Sequence, residues 1–335
     1  MGVSITEVAK ATGVSRMTVT RVMRGDAVSD ATRVRVLEAM ASMGYVPSPA
    51  ARAMRSKDRL VATQSGCFAL VFGSDTQNAD EFFCEIARGA EHEAGVHGLC
   101  ALHIHWLDDL AASWPRMQAL LSAGGVCGAI LAGQFSKRDV EVFSKALKNV
   151  VIVDGPAPAD ARVASIEAEN VGGCELALKH LLARGNKELV VLSGPTDHYF
   201  TGAMLQAVGN LKGEFRSVRV VNTNYTAQGG GEALRAVLRD GHAFDAVFGN
   251  DALCIGGMRA LAESGLRVPD DVAVVGFDNI SLSAHLKPSL TTVNIDKRRL
   301  GREAVNALVA LVRDQHETTG LKTIIRAELV ERESA

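Results

Sequence analysis

Residues 5–23 read ITEVAKATGVSRMTVTRVM, and their spacing decides how the first part of the chain folds. Ile5, Val8, Ala9 and Thr12 recur at helical spacing on one face of a first helix. Gly13 follows, where a tight turn between crossed helices needs a positive φ that a side chain disfavours. Val14 plugs the angle between the helices, and Ser15 is a good N-cap for a second helix over Arg16–Met23. Within it Val19 and Val22 face inward, leaving Arg16, Met17, Thr18, Thr20 and Arg21 outward. A third helix is predicted from about Asp30 to Met43, burying Val34, Leu37 and Met40–Ala41 against the first two. This is a helix-turn-helix arrangement, whose second helix enters the major groove of duplex DNA with its N-terminal residues at base edges. The plainer alternative is a three-helix mini-domain that touches no nucleic acid.

The charge distribution favours the first reading. Residues 1–60 carry ten Lys/Arg against five Asp/Glu, leaving 26 against 33 in the remainder, so a basic head precedes an acidic body. A polyanion partner is implied for the head alone. The segment joining them, Pro47-Ser48-Pro49-Ala50-Ala51-Arg52-Ala53-Met54, opens a short helix with Ser48 as N-cap and Pro49 in first position. Two turns are marginal in water, so this hinge orders only when docked. A solvated basic linker is the alternative.

From residue 66 the pattern becomes short apolar runs alternating with helical stretches. Strands are predicted at Cys67–Phe72, Cys100–His105, Gly128–Ala132, Val150–Val153, Val163–Ile166, Glu188–Leu192, Val218–Val221, Ala246–Gly249 and Val272–Gly276. Helices are predicted over 82–94, 113–123, 137–147, 171–184, 229–239 and 252–264. Strands separated by helices imply parallel sheets covered on both faces, and this many units imply two similar lobes. Ligands of such folds sit past the carboxyl ends of strands. That places Asp154, Asn250 and Asp278, and the aromatic Trp106 and Tyr199, at candidate positions for a small polar metabolite. Strand-end Asp and Asn also commonly cap the next helix.

Several other chemistries find no support. Six cysteines are scattered without a Cys-x-x-Cys pair, as expected of reduced thiols rather than a metal cluster or disulfide scaffold. His103 and His105 share a strand face but lack a third metal ligand, and Gly229-Gly230-Gly231 lacks the dinucleotide-binding spacing. No nucleophile elbow or phosphate-cradling loop occurs, so neither an enzyme nor a cofactor is implied. No apolar run is long enough for a bilayer, and MGVSITEVAK lacks the features of a secretory signal, which points to the cytoplasm. A solute-binding receptor for transport, the rival reading, would carry an export signal and no head.

The stretch at 5–23, followed by GYVP at Gly44–Pro47, resembles the N-terminal signature of the LacI/GalR family. The resemblance continues through VVIVDGP, NVGGCELALKHLLARGNKELVVLSGP, GNDALCIGGMRALAESGLRVPDDVAVVGFDN and PSLTTVNIDKRRLGREAVNALVALV. It implies an all-α helix-turn-helix head at 1–46, a hinge helix and linker at 47–65, and a periplasmic-binding-protein-like α/β body at 66–335. The body's two parallel-sheet lobes are expected at about 66–156 with 289–320, and about 157–288 with 321–332. The resemblance also implies a repressor that binds pseudo-palindromic operator DNA, responds to a small-molecule effector between its lobes, and dimerises. The tail LVERESA has no leucine heptad, which by family analogy favours a dimer over a tetramer.

By the same resemblance Arg16 and Met17 select operator bases, Arg21 is the recognition-helix arginine, and Thr6, Ser15 and Thr18 make phosphate or base contacts. Ala51 falls where paired hinge helices pack, Met54 where the family wedges a leucine into the minor groove, and Arg52 and Arg55 near phosphates. Phe83 falls where the family places an effector-stacking aromatic. One departure stands out: the arginine that usually anchors the effector after LSGP is replaced here by Gly202.

Overall fold

A computed structural model of the chain describes residues 5–24, 28–43, 66–73, 81–105, 114–115, 118–119, 121, 126–157, 163–313 and 320–335. The predicted hinge, with Ala51, Arg52, Met54 and Arg55, lies outside the described residues, as do Trp106 and most of the helix expected at 113–123.

The head is built from α1 (Ile5–Thr12), α2 (Arg16–Arg24) and α3 (Asp30–Ser42). Val8, Ala9, Val19, Val22, Val36 and Met40 form its core, with Ile5, Val14, Val28 and Met43 packed around them. Gly13 adopts φ 66°, and a Cβ there would meet nothing within 4 Å, so backbone conformation rather than space demands glycine. One expectation for α3 is corrected. Val34 and Leu37 are 53% and 49% exposed, whereas Val36 is fully buried. Val36 and Met40, four apart, share the face that meets α1 and α2; Val34 and Leu37 form a second stripe. The run VRVLEAM offers both stripes, so periodicity alone does not choose between them.

The body contains two six-stranded sheets. The first holds β1 (Cys67–Phe72), β2 (Cys100–His105), β3 (Val126–Ala132), β4 (Val150–Val153), β5 (Ala164–Ala168) and β11 (Lys322–Ile325) in the order β11-β5-β4-β3-β1-β2. All its pairings are parallel. The second holds β6 (Glu188–Ser193), β7 (Ser217–Asn222), β8 (Ala246–Gly249), β9 (Ala273–Phe277), β10 (Thr291–Ile295) and β12 (Ala327–Val330) in the order β12-β10-β9-β8-β6-β7. Here only β12 runs antiparallel, against β10. Runs such as VVIV in β4 and AVFG in β8 are buried on both faces because helices cover both sides of a parallel sheet. These helices are α4 (Glu81–Val96), α5 (Lys137–Ala146), α6 (Asn170–Ala183), α7 (Tyr199–Leu211), α8 (Ala227–Arg239), α9 (Asp251–Glu263) and α10 (Lys297–Arg313).

Strand membership moves all three expected lobe crossings. β5 was expected in the second lobe but belongs to the first sheet, where it pairs with β4. β10, expected in the first lobe, pairs with β9 in the second sheet. β11 and β12, both expected in the second lobe, divide between the sheets. The chain therefore crosses after Ala168, after Ile295 and at Arg326. A buried apolar strand reads alike in either lobe, and only the open edge it completes decides where it goes. The glycine run at 229–231 belongs to helix packing. A Cβ on Gly230 would lie 2.2 Å from Leu253 O, and one on Gly256 would lie 1.7 Å from Ala227 O. α8 and α9 touch backbone to backbone there.

Candidate functional site

Two surfaces stand out, one on the head and one between the lobes. On the head, the Ser15 Oγ accepts the Thr18 N–H at 3.0 Å and lies 2.9 Å from the Thr18 hydroxyl, capping α2. With Val19 and Val22 buried below, the opposite face presents Arg16, Met17 and Arg21 to solvent, Met17 being 66% exposed. Thr18 is half-buried, and Thr20 returns its hydroxyl to Arg16 O at 2.9 Å. Thr6 is exposed on α1. The outer face of α2 thus combines two guanidinium groups and an apolar thioether at the start of a helix, a set suited to base edges and phosphates.

Between the lobes, Asp154 follows β4 at φ 54° and is 4% exposed. Its carboxyl accepts the Tyr199 hydroxyl at 2.5 Å, a bond that joins the first lobe to the first turn of α7 in the second. Gln134, two residues past β3, adds two more links: it accepts the Tyr199 N–H at 2.8 Å and donates to Asp197 O at 3.0 Å. Around Tyr199 stand the His198 ring, centred 4.9 Å from Tyr199 and 5.0 Å from Tyr225, and the Tyr225 hydroxyl, 2.7 Å from the Thr201 Oγ1. Burial, opposed by the Thr201 hydrogen bond, pushes the Tyr225 phenol far above its ordinary range, so it stays neutral. A second bridge joins Glu81, at the start of α4, to the Ser281 N–H (2.8 Å) and hydroxyl (2.9 Å).

Asp278 follows β9 at φ 105°, with Asn279 at φ 47° beside it. Lys297, at the start of α10, donates to Asp278 O and stands 5.9 Å over the Phe82 ring. Since α10 covers the first lobe and β9 lies in the second, this lysine too spans the lobes. Asn250 caps α9 instead of facing a ligand with its carbonyl, which accepts the Leu253 N–H at 3.0 Å. Its neighbour Asp251 is wholly buried and accepts from the Ser283 and Thr292 hydroxyls and the Ile280 N–H. Burial outweighs those donors and raises its carboxyl to about 6. Phe83 packs against the core, edge-on to Phe82 at 5.3 Å. A Cβ on Gly202 would meet nothing within 4 Å, so the first turn of α7 has room where an arginine was expected.

Of the sequence-predicted cleft residues, the structure brings Asp154 and Tyr199 into contact, assigns Asn250 to a cap and Phe83 to packing, and leaves Asp278 at a strained strand end. Gln134, Glu81 and Lys297 escaped the sequence reading. Gln134 obeys the same strand-end rule that selected Asp154, and inspecting every strand end would have found it. A cavity of about 590 Å³ follows the later crossings, lined by Asn294, Lys297, Arg299, Ile325 and Arg326 among others. It does not lie at Asp154, where the Tyr199 and Gln134 bonds link the lobes. Among the described residues no group of three metal-ligating side chains occurs, and no helix is long and apolar enough to cross a membrane.

Residues 4–48 match the family described as bacterial regulatory proteins, lacI family, and residues 178–335 match the periplasmic binding protein-like domain. The HTH-type transcriptional regulator CelR of Thermobifida fusca is 30% identical over 348 residues, covering 98% of this chain and 96% of that one. A solved complex of transcriptional regulator CelR with cellobiose superposes with a TM-score of 0.73 at 26% identity, covering 99% of this chain and 100% of that one. The lac repressor dimer bound to operator and the anti-inducer ONPF superposes with a TM-score of 0.81 at 26% identity, covering 100% and 99%. An exposed recognition face on a glycine-turned helix pair, a two-lobed body with cross-lobe contacts, and likeness along nearly the whole chain converge: this protein belongs to the LacI family of transcriptional regulators.

Proposed function

We propose that the protein is a dimeric repressor whose two heads sit on a pseudo-palindromic operator, under the control of a hydroxyl-rich metabolite bound between the lobes. The carrying observation is the exposed face of α2, where Arg16, Met17 and Arg21 project beside a capped helix start. In the major groove Arg16 pairs bidentately with guanine O6 and N7, and Met17 packs on a thymine methyl. Arg21, Thr6, Ser15 and Thr18 add phosphate or base contacts, and the hinge contributes Ala51, Arg52, Met54 and Arg55 at the minor groove. The solved lac repressor relative is a dimer on operator, which supports the two-headed arrangement here. A DNA partner supports a cytoplasmic location.

Asp154, Tyr199, Gln134 and Asp278 are the effector contacts, with Trp106 contributing an apolar wall. Carboxylates and a phenol suit hydrogen bonds to ligand hydroxyls, and cellobiose bound to the CelR relative supports a sugar or related metabolite. The glycine at 202 removes the anchoring guanidinium, which favours a neutral ligand over an anionic one. Effector exchanges the Tyr199–Asp154 bond for its own hydroxyls, resets the angle between lobes, and so changes hinge spacing and operator affinity through linkage. Selection from a random duplex pool with full-length protein tests the core of this reading. A two-fold symmetric sequence should emerge, and a pool that never enriches one contradicts it.

A further inference from the structure

The edge of the first sheet away from the cleft carries a chemistry that neither DNA nor effector binding uses. Its strands are parallel, so their N-terminal ends share one edge, and three cysteines collect there: Cys67 opening β1, Cys100 opening β2, and Cys127 near the start of β3. Cys67 and Cys100 are direct register partners. Facing residues on neighbouring strands stand about 4.8 Å apart, inside the Cα span that a disulfide tolerates. Their Sγ atoms are 2.6 Å apart, inside ordinary sulfur–sulfur contact. Cys100 is exposed, Cys67 half-buried and Cys127 buried. The Cys67 thiol is pushed up to about 11, first by its hydrogen bond with Cys100 and then by burial, while burial raises Cys127 to about 11. A reagent in solution therefore meets Cys100 first, with Cys67 held as a protonated partner. Cys84 is exposed but isolated on α4, and Cys174 and Cys254 are sealed in the core.

We propose that Cys67 and Cys100 are a hydroperoxide-sensitive thiol pair that closes to an intramolecular disulfide. The Cys100 thiol gives up its proton as its sulfur attacks one oxygen of the hydroperoxide; the O–O bond breaks, the departing alkoxide or hydroxide takes up that proton, and a sulfenic acid remains on Cys100. The Cys67 sulfur then attacks the Cys100 sulfur, the S–O bond breaks, and hydroxide leaves as water with the Cys67 proton. Two thiols and one hydroperoxide become one disulfide, one alcohol or water, and a further water. The bond ties β2, the edge strand of its sheet, to β1 beside Gly66, whose carbonyl accepts the Cys100 N–H at 2.6 Å. Stable disulfides are rare in reducing compartments, so such a pair reports a departure from them.

The test treats reduced full-length protein with hydrogen peroxide, denatures it, alkylates the remaining thiols and maps the peptides. Four of the six cysteines should remain alkylatable, with a peptide joining Cys67 to Cys100 that dithiothreitol separates. Cys84→Ser should leave that result unchanged, and Cys67→Ser should leave oxidised Cys100 without the cross-link. Oxidised Cys100 alongside a fully alkylatable Cys67 in the unsubstituted protein overturns the pairing. So does peroxide-induced cross-linking between two chains through Cys84 or Cys100.

Discussion

At the scale of single residues, the two ends of the proposed switch rest on side chains with different loads. Arg16 is exposed on α2, so its removal should cost little folding stability. Arg16→Ala should weaken binding to the selected operator by about 1–3 kcal/mol and relax preference at one base position in each half-site. Competition against single-base operator variants checks this, and unchanged selectivity would remove Arg16 from the groove. Tyr199 joins the lobes through its hydroxyl. Tyr199→Phe should release about 1 kcal/mol of closure and speed hydrogen exchange at the Tyr199 N–H, which donates to Gln134, roughly fivefold. Asp251 links stability to pH. Its carboxyl, raised to about 6, protonates in the folded state at a higher pH than in the unfolded chain. Its contribution to stability is thus fully present below about pH 4 and is lost as pH rises through about 6. Between pH 4.5 and 7 the melting temperature of wild type should therefore fall relative to Asp251→Asn; a constant difference would mean that folding does not raise the Asp251 carboxyl.

At the scale of elements, legibility followed the strength of the local signal. The helix pair of the head was readable because Gly13, Ser15 and the valine spacing each fix one degree of freedom, and φ 66° at Gly13 with the Ser15 cap bears that out. α3 was placed correctly, but its inner face was not, since two apolar stripes compete within VRVLEAM. Nine strands were found within two residues at either end, because fully buried parallel strands are short unbroken apolar runs. β11 and β12 were invisible as separate elements: one residue, Arg326, divides strands that join different sheets. At the site, strand ends led to Asp154 but not to the lobe bridges of Glu81 and Lys297, whose partners lie about 200 and 20 residues away in sequence and carry no local mark. The close approach of α8 and α9, with Gly230 against Leu253 and Gly256 against Ala227, is another such long-range requirement. Gly256→Ala should destabilise the body by about 1–3 kcal/mol through overpacking against Ala227 O, visible as a lowered melting temperature.

At the scale of the whole molecule, three crossings after Ala168, after Ile295 and at Arg326 connect two sheets whose strand ends face a common cleft. Such a body responds to a ligand by changing the angle between lobes, because each lobe is internally close-packed and the crossings are few. The head is net basic, which suits a polyanion, whereas the rest of the chain is net acidic. Operator preference, its salt dependence and its response to effector should therefore be properties of the full chain. The deciding measurement is the affinity of full-length protein for its selected palindrome and for a shuffled duplex across a salt series, each with and without a metabolite that raises its melting temperature. Tighter binding to the palindrome at every salt, a steep loss with added salt, and a shift in the palindrome's affinity on adding the metabolite are the predicted results. Equal affinity for the two duplexes in all conditions would contradict the assignment of the first sixty residues to sequence recognition and of the cleft to its control.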